Sequence, residues 1–336
     1  MKNSQDFWLA FAKASAKQAK IKHPILALAP MAGITDSAFR QVCRHYGAAV
    51  VYTEMVSADG LYYDSRKTLE FLKFDKKEHP IVIQLFGKHP EKFTPAAKLC
   101  EQAGFDGIDI NFGCPAKKVA GHGGGVTLMR DLDKCRAIVE ATLAGTKLPV
   151  SVKLRSSINK ESKKVTALDF LKKMKDLPLA AIMIHGRSYE KPFEGEPDYG
   201  MIKKCVQYQK KINKQCVIIG NGGIKKPEDA KKMLELTGAD GVALARGLYG
   251  RPYLFKQIGD YLAKGKYSEY DLAKIKTAAL LQAERAYKSK GKHGLVEMRK
   301  HLCWYVSGLP NAKDYRQRLV RVENISQVRA ALKSIK

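Results

Sequence analysis

The sequence predicts an α/β chain: a (β/α)8 TIM barrel followed by a small C-terminal all-helical domain. Three observations carry that prediction. Eight short apolar or β-branched runs recur at intervals long enough to hold a helix, the pattern of βαβ units feeding a parallel sheet. Nearly every run stops at a polar or glycine-marked residue, as expected where strand ends of a parallel barrel carry the chemistry. After Arg251-Pro252 the strand signal ceases and apolar residues fall at helical spacing.

The first run, Ile25–Ala29, leads into Pro30-Met31-Ala32-Gly33. Proline ends the strand, and Met31 and Ala32 offer an apolar shelf with exposed backbone. Ala49–Tyr52 precedes Glu54, and Ile81–Ile83 precedes Gln84, whose amide can hydrogen-bond in two directions. The fourth run, Gly107-Ile108-Asp109-Ile110, closes in Asn111-Phe112-Gly113-Cys114-Pro115. A strand followed by a forced turn presents the Cys114 thiol at a strand end. Such a thiol can be a nucleophile, a general acid, a metal ligand or apolar filler.

Val150–Val152 precedes Lys153, and Ile182–Ile184 precedes His185. Lys153 either pairs with a neighbouring carboxylate or serves an anionic ring edge, because an ammonium at a barrel mouth is costly unless its charge is used. His185 is either a core histidine or a hydrogen-bond donor to a ligand. Val217–Ile219 runs into Gly220-Asn221-Gly222-Gly223-Ile224, and Val242–Leu244 into Ala245-Arg246-Gly247. Glycine-rich loops after the seventh and eighth strands form a phosphate site in many barrels, and Arg246 adds a cation of fixed geometry. A closed barrel gathers Gln84, Asn111, Lys153, His185, Asn221 and Arg246 on one face. Together they describe a site for a planar heterocycle bearing one phosphate.

With 60 Lys and Arg against 33 Asp and Glu, the chain carries a net charge of +27. Most surfaces intersperse both signs, so an excess of this size favours a polyanionic partner. The seven cysteines show neither Cys-x-x-Cys nor zinc-like spacing, which points to reduced thiols in the cytoplasm and no structural metal. No run reaches the ~18 apolar residues of a membrane helix, and Phe7–Ala12 is too short for a signal-peptide core. The expected organisation is a basic amphipathic N-terminal helix in residues 1–22, the barrel in 23–255, and a helical domain in 256–336. That last segment should hold helices at Asp271–Lys288, Leu295–Val306 and Val320–Lys333, with Gly308-Leu309-Pro310-Asn311 between the last two. Leu302, Val306, Leu319 and Val322 should turn inward, leaving Arg316, Arg318 and Arg321 facing solvent to meet the phosphates of a polyanionic partner.

Several motifs occur in one order along the chain: Ala29-Pro30-Met31-Ala32-Gly33-Ile34-Thr35-Asp36, Gln84-Leu85-Phe86-Gly87, Asp109-Ile110-Asn111-Phe112-Gly113-Cys114-Pro115-Ala116-Lys117-Lys118, Val152-Lys153-Leu154-Arg155, Ile184-His185-Gly186-Arg187 and Arg246-Gly247. Over about Leu26 to Phe255 the chain thereby resembles the tRNA-dihydrouridine synthases. Met298-Arg299-Lys300-His301-Leu302-Cys303-Trp304-Tyr305 is similar to the C-terminal domain of their bacterial B-type branch.

The resemblance implies FMN held by Pro30, Met31, Ala32, Gln84, Lys153, His185, Asn221, Gly222, Gly223, Ala245 and Arg246, with NADPH as electron source. It also implies a uridine turned out of tRNA onto the flavin, Asn111 and Arg187 on the substrate side, and a monomeric protein. Hydride passes from flavin N5 to uracil C6, and Cys114, as a neutral thiol, protonates C5. Extruding the base costs roughly a few kcal/mol, which backbone contacts must offset, so the excess positive charge has a use. Two positions depart from the family's pattern: Gly223 stands where many relatives have Asp, and Ala245 where Gly is usual. Two other readings stay open, an FMN barrel acting on a free pyrimidine in the manner of dihydroorotate dehydrogenases, and the same chemistry on ribosomal RNA.

Overall fold

The computed structural model describes residues 7–8, 24–116, 121, 123–213 and 215–336. Ten strands occur in it: β1 (Ile25–Leu28), β2 (Val50–Ser57), β3 (Ile81–Phe86), β4 (Gly107–Phe112), β5 (Val150–Arg155), β6 (Ser157–Lys160), β7 (Lys163–Thr166), β8 (Ala181–His185), β9 (Val217–Asn221) and β10 (Gly241–Leu244). Eight of them close a parallel barrel in the order β1-β10-β9-β8-β5-β4-β3-β2. Strands β6 and β7 form an antiparallel hairpin outside it.

The helices are α1 (Ser37–His45), α2 (Ala58–Tyr62), α3 (Arg66–Leu69), α4 (Pro90–Gln102), α5 (Leu132–Ala144), α6 (Ala167–Lys173), α7 (Tyr199–Ile212), α8 (Pro227–Thr237), α9 (Leu254–Lys264), α10 (Leu272–Tyr305), α11 (Ala312–Leu319) and α12 (Ile325–Lys333). Side chains before them fix their starts: Asp36, Asp131, Thr166 and Asp198 each accept a hydrogen bond from a backbone N–H in the first turn of α1, α5, α6 and α7. Gly238 and Gly265 end α8 and α9 in the left-handed conformation.

Alternation along each strand divides the barrel into two cores. Residues facing outward, such as Ile81, Ile83, Ile108, Ile110, Val152 and Ile182, join the large core beneath the helices. Those facing inward, among them Ala27, Val50, Tyr52, Val82, Met183, Val217, Ile219 and Ala243, fill the barrel together with Trp8, which is 1% exposed. The same inward rows continue toward the C-terminal face as Gln84, Asn111, Lys153, His185 and Asn221, so the barrel interior changes from apolar to polar along its axis. The rest of the expected N-terminal helix in residues 1–22 lies outside the described residues.

Four details differ from the sequence expectation. Strand β2 runs through Glu54 to Ser57, with a register shift between Tyr52 and Met55, so Glu54 sits inside a strand instead of at its end. The hairpin β6–β7 is not among the eight runs counted in the sequence. Helix α9 straddles the expected boundary at 255/256, and its Leu254, Phe255 and Ile258 belong to the barrel core. The expected helix Val320–Lys333 forms only over Ile325–Lys333, as α12; α11 ends at Leu319, and Asn324 caps the start at Ile325.

Helix α10 reverses at Gly291 (φ 56°, ψ −141°). The two arms lie side by side, and Tyr305 Oη donates to Gln282 Oε1 at 2.9 Å across 23 residues of sequence. Leu302, Val306, Leu319 and Val322 are all buried in the bundle's own core, which also takes in Ala38 and Tyr253 from the barrel. Arg285 donates to Gln41 of α1 at 2.8 Å, and the ring of Tyr249 stacks on Trp304 with centroids 4.0 Å apart. The bundle is therefore seated against α1 and the loop after β10, beside the mouth. Among the described residues no helix is long and apolar enough to cross a membrane.

Candidate active site

Cys114 follows β4 on a turn held from inside the barrel. Asn111 Oδ1 accepts from the backbone N–H of Gly113 (3.0 Å) and of Cys114 (2.9 Å). Its Nδ2 donates to Gln84 Oε1 at 2.8 Å; Gln84 Nε2 donates to Asp109 Oδ2, and Ser151 Oγ to Asp109 Oδ1, both at 2.6 Å. The Gly113 carbonyl accepts from Arg155 Nε at 2.9 Å, and the other end of that guanidinium reaches the carbonyls of Arg187, Ser188 and Pro192. Burial pushes the Asp109 carboxyl up to about 6 against the pull of Gln84, Ser151 and Lys153. Five of the seven cysteines are buried; Cys114 and Cys303 alone are partly exposed.

Gln84 and Asn111, read from the sequence as ring- and base-contacting amides, are thus engaged within the protein. Asn111 has both amide hydrogens committed, the second lying against Met55 Sδ at 2.8 Å. Its evident work is to hold the Cys114 turn. Asp109, Ser151 and Arg155 complete that framework, and sequence reasoning did not assign them. Arg155 works through backbone carbonyls, which a sequence does not display.

Opposite this turn, the loops after β8, β9 and β10 enclose a cavity of about 440 Å³ whose lining includes His185, Arg187, Lys225, Arg246 and Arg251 and no carboxylate. Gly222 (φ +111°) and Gly223 (φ +78°) form its floor. A Cβ on Gly222 would fall 2.8 Å from His185 Cδ2, and one on Gly223 would fall 2.9 Å from Pro197 Cγ. Both the backbone conformation and the lack of space exclude a side chain there, which accounts for glycine at 223. Asn221 is tied down, its Nδ2 donating to the Ala243 carbonyl at 2.8 Å. Ala245 and Arg246 open the short turn after β10, and the Arg246 guanidinium lies 4.5 Å from the Phe193 ring centroid.

No carboxylate lies within ion-pair distance of Lys153 among the described residues, so the expected alternative of a lysine–carboxylate pair is not realised there. Burial, helped by Arg155, lowers its pKa to about 8. Burial and then the charges of Lys153, Arg155, Arg187 and Arg246 bring His185 down to about 2. Its imidazole is neutral at pH 7 and meets an anion as a hydrogen-bond donor, not as a cation. Arg187, expected on the substrate side, lines this cavity, with Nε and Nη2 donating to the Gly195 carbonyl at 3.0 and 2.7 Å. Pro30, Met31 and Ala32 follow β1; the Met31 carbonyl accepts from Thr35 Oγ1 at 3.2 Å, and the half-buried Glu54 accepts from the Gly33 N–H. Arg316, Arg318 and Arg321 are exposed on and after α11, with no ion pair among the described residues.

The family profile described as dihydrouridine synthase (Dus) matches residues 27–336. The chain belongs to the dihydrouridine synthase family. A protein of Pseudomonas aeruginosa named tRNA-dihydrouridine synthase B is 33% identical over 304 residues, 89% of each chain. One of Synechocystis named probable tRNA-dihydrouridine synthase 1 is 32% identical over 307 residues, 91% of this chain and 84% of that one. A solved old yellow enzyme from Trypanosoma cruzi superposes with a TM-score of 0.51 over 77% of this chain and 93% of its own, at 12% identity, a likeness of barrel alone. Family membership makes the chain an oxidoreductase, and the barrel puts the Cys114 turn and the basic cavity at the same, C-terminal, end of its strands.

Proposed function

We propose that this protein reduces the C5=C6 bond of particular uridines in tRNA to 5,6-dihydrouridine, using FMN and NADPH. The observation that carries the reading is the shared mouth: a partly exposed cysteine on a braced turn stands at the same end of the barrel as a cavity lined by cations and no carboxylate. The relatives' names supply the RNA substrate.

The cavity fits a flavin mononucleotide. A phosphate would find Arg246, Arg187 and the neutral His185 as donors, with the Gly222 and Gly223 backbone free to approach. Arg187 belongs with the anion in this assignment. Lys153, half-buried and unpaired, suits a ring edge that becomes negative; Pro30, Met31 and Ala32 provide apolar backbone beside it, and Gln84, Asn221 and Ala245 hold the surrounding strands. When bound and reduced, the flavin supplies the hydride taken up at uracil C6. Cys114 keeps its proton on Sγ and delivers it to C5, while Asn111 and Arg155 fix the turn that carries it. Arg316, Arg318 and Arg321 would contact tRNA phosphates from the bundle.

The test is direct. The purified protein should be yellow, release FMN on denaturation, and oxidise NADPH faster when tRNA lacking dihydrouridine is added, with dihydrouridine appearing in the RNA by mass spectrometry. Reduction of a free pyrimidine with no effect of tRNA would assign it to the other flavin-barrel chemistry.

A further inference from the structure

The Cys114 side of the rim carries an aromatic feature that the chemistry above does not use. Helix α2 follows β2 at the C-terminal face and ends at Tyr62, and Tyr63 comes next. The two rings are 47% and 68% exposed and meet edge to face, with centroids 4.9 Å apart. Lys92 of α4 lies 5.8 and 4.7 Å from their centroids and is anchored by Asp59 at 2.6 Å. Its side chain is only 14% exposed, so the cation is a fixed part of the arrangement.

The position is contiguous with the active mouth. Lys88, on the β3–α4 loop, comes within 3.5 Å of the place a Cβ would take on Gly123. Gly123 leads directly, through Gly124 and Gly125, to Val126, whose N–H donates to the Cys114 carbonyl at 3.2 Å. Lys88, Arg66 and Lys67 have no ion pair among the described residues. Two adjacent exposed rings therefore stand against a fixed Lys92–Asp59 pair, with the cations Arg66 and Lys67 following in the chain. A flat, sequence-tolerant, negatively tethered ring is what such a surface receives: aromatic side chains interleaved with cations are the common platform for unpaired bases.

We propose that Tyr62 and Tyr63 form a stacking platform for an unpaired RNA base next to the uridine that enters the mouth. The proposal rests on the tRNA reading above. An extruded uridine leaves neighbours without stacking partners, and the platform restores one while Arg66, Lys67 and Lys88 face the adjoining phosphates.

The experiment uses full-length, flavin-loaded protein and unmodified tRNA transcripts. Affinity is measured over a range of salt concentrations, and dihydrouridine formation at limiting and saturating tRNA. Tyr62→Ala/Tyr63→Ala should raise Kd and KM roughly 5- to 100-fold, leave kcat within about twofold and leave the log–log salt slope unchanged, since no phosphate contact is removed. Tyr63→Trp should bind like wild type. Tyr62→Leu/Tyr63→Leu, which keeps apolar bulk, should bind as weakly as the alanine pair and serves in its place if that pair loses flavin. Unchanged Kd and KM in the double variants, or loss of affinity in Tyr63→Trp, would overturn the platform. Wild type that binds tRNA without forming dihydrouridine would overturn the enzymatic reading, while the affinity series still decides the platform.

Discussion

The two halves of the barrel mouth are built on opposite plans. Around Cys114 the polar groups are spent on one another: Ser151, Asp109, Gln84 and Asn111 form a connected chain that ends on the Gly113 and Cys114 N–H groups. Around Gly222 and Gly223 the cations face an open space whose lining holds no carboxylate. A satisfied network fixes a reacting group in place; an unsatisfied one waits for a ligand of opposite charge. The first half is organised for geometry and the second for binding. Damage to each should therefore show in different measurements.

The largest effect is expected on the geometric side. Cys114→Ala should slow dihydrouridine formation by ~10²–10⁴-fold while the bound flavin still accepts electrons from NADPH, followed by flavin absorbance in a stopped flow and by mass spectrometry of the RNA. Equal loss in both half-reactions would break the contrast. On the binding side, Arg246→Ala should weaken FMN affinity by roughly 10- to 100-fold, the worth of one charge-assisted hydrogen bond, and leave the activity of flavin-saturated enzyme largely intact.

Asn111→Ala sharpens the comparison. It strips two backbone N–H groups of their acceptor and leaves Gln84 Oε1 buried without its donor, so melting should report a loss of about 1–3 kcal/mol with little change in FMN affinity. Acid separates the halves by sign. His185 stays neutral in the folded protein down to about 2, whereas it takes up a proton near ~6.5 when unfolded. The unfolded state binds the extra proton, so stability of the flavin-free protein is full above ~6.5 and is lost as pH falls below it. His185→Gln should flatten that loss in melting curves recorded from pH 7 to 4. The smallest effect belongs to neither half: replacing Arg316, Arg318 and Arg321 by Ala should lower the salt slope of tRNA binding by up to roughly 0.7–0.9 per phosphate contact and leave FMN content alone.

The barrel was readable because two periodicities coincide. An inward row of small and apolar residues ends in Gln84, Asn111, Lys153, His185 or Asn221, and in each strand the change of polarity marks the mouth. The bundle was less readable. Helix α11 buries only Tyr315 and Leu319 in eight residues, too few for a periodic signal, whereas the reversal at Gly291 falls in the gap already expected between Lys288 and Leu295, where the apolar spacing lapses. Asn324 offered a helix start by residue type, but the apolar residues on either side of it read as one run. Within the site, residue types that carry charge were legible, and their allegiance was not. Whether Arg187 faces substrate or phosphate, and whether Asn111 faces base or backbone, depends on loop paths that no spacing encodes.

The chain has two tryptophans, and the fold keeps them in separate surroundings. Trp8 is sealed among the barrel's inward side chains, while Trp304 stacks on Tyr249, a residue that lines the basic cavity. Excited in the ultraviolet, each indole would report on a different event, one on the integrity of the barrel's apolar floor and the other on the seating of the bundle beside the cavity. A Trp8→Phe protein would carry a single tryptophan, at that seam, so arrival of a ligand in the cavity could be followed by indole emission without attaching any dye.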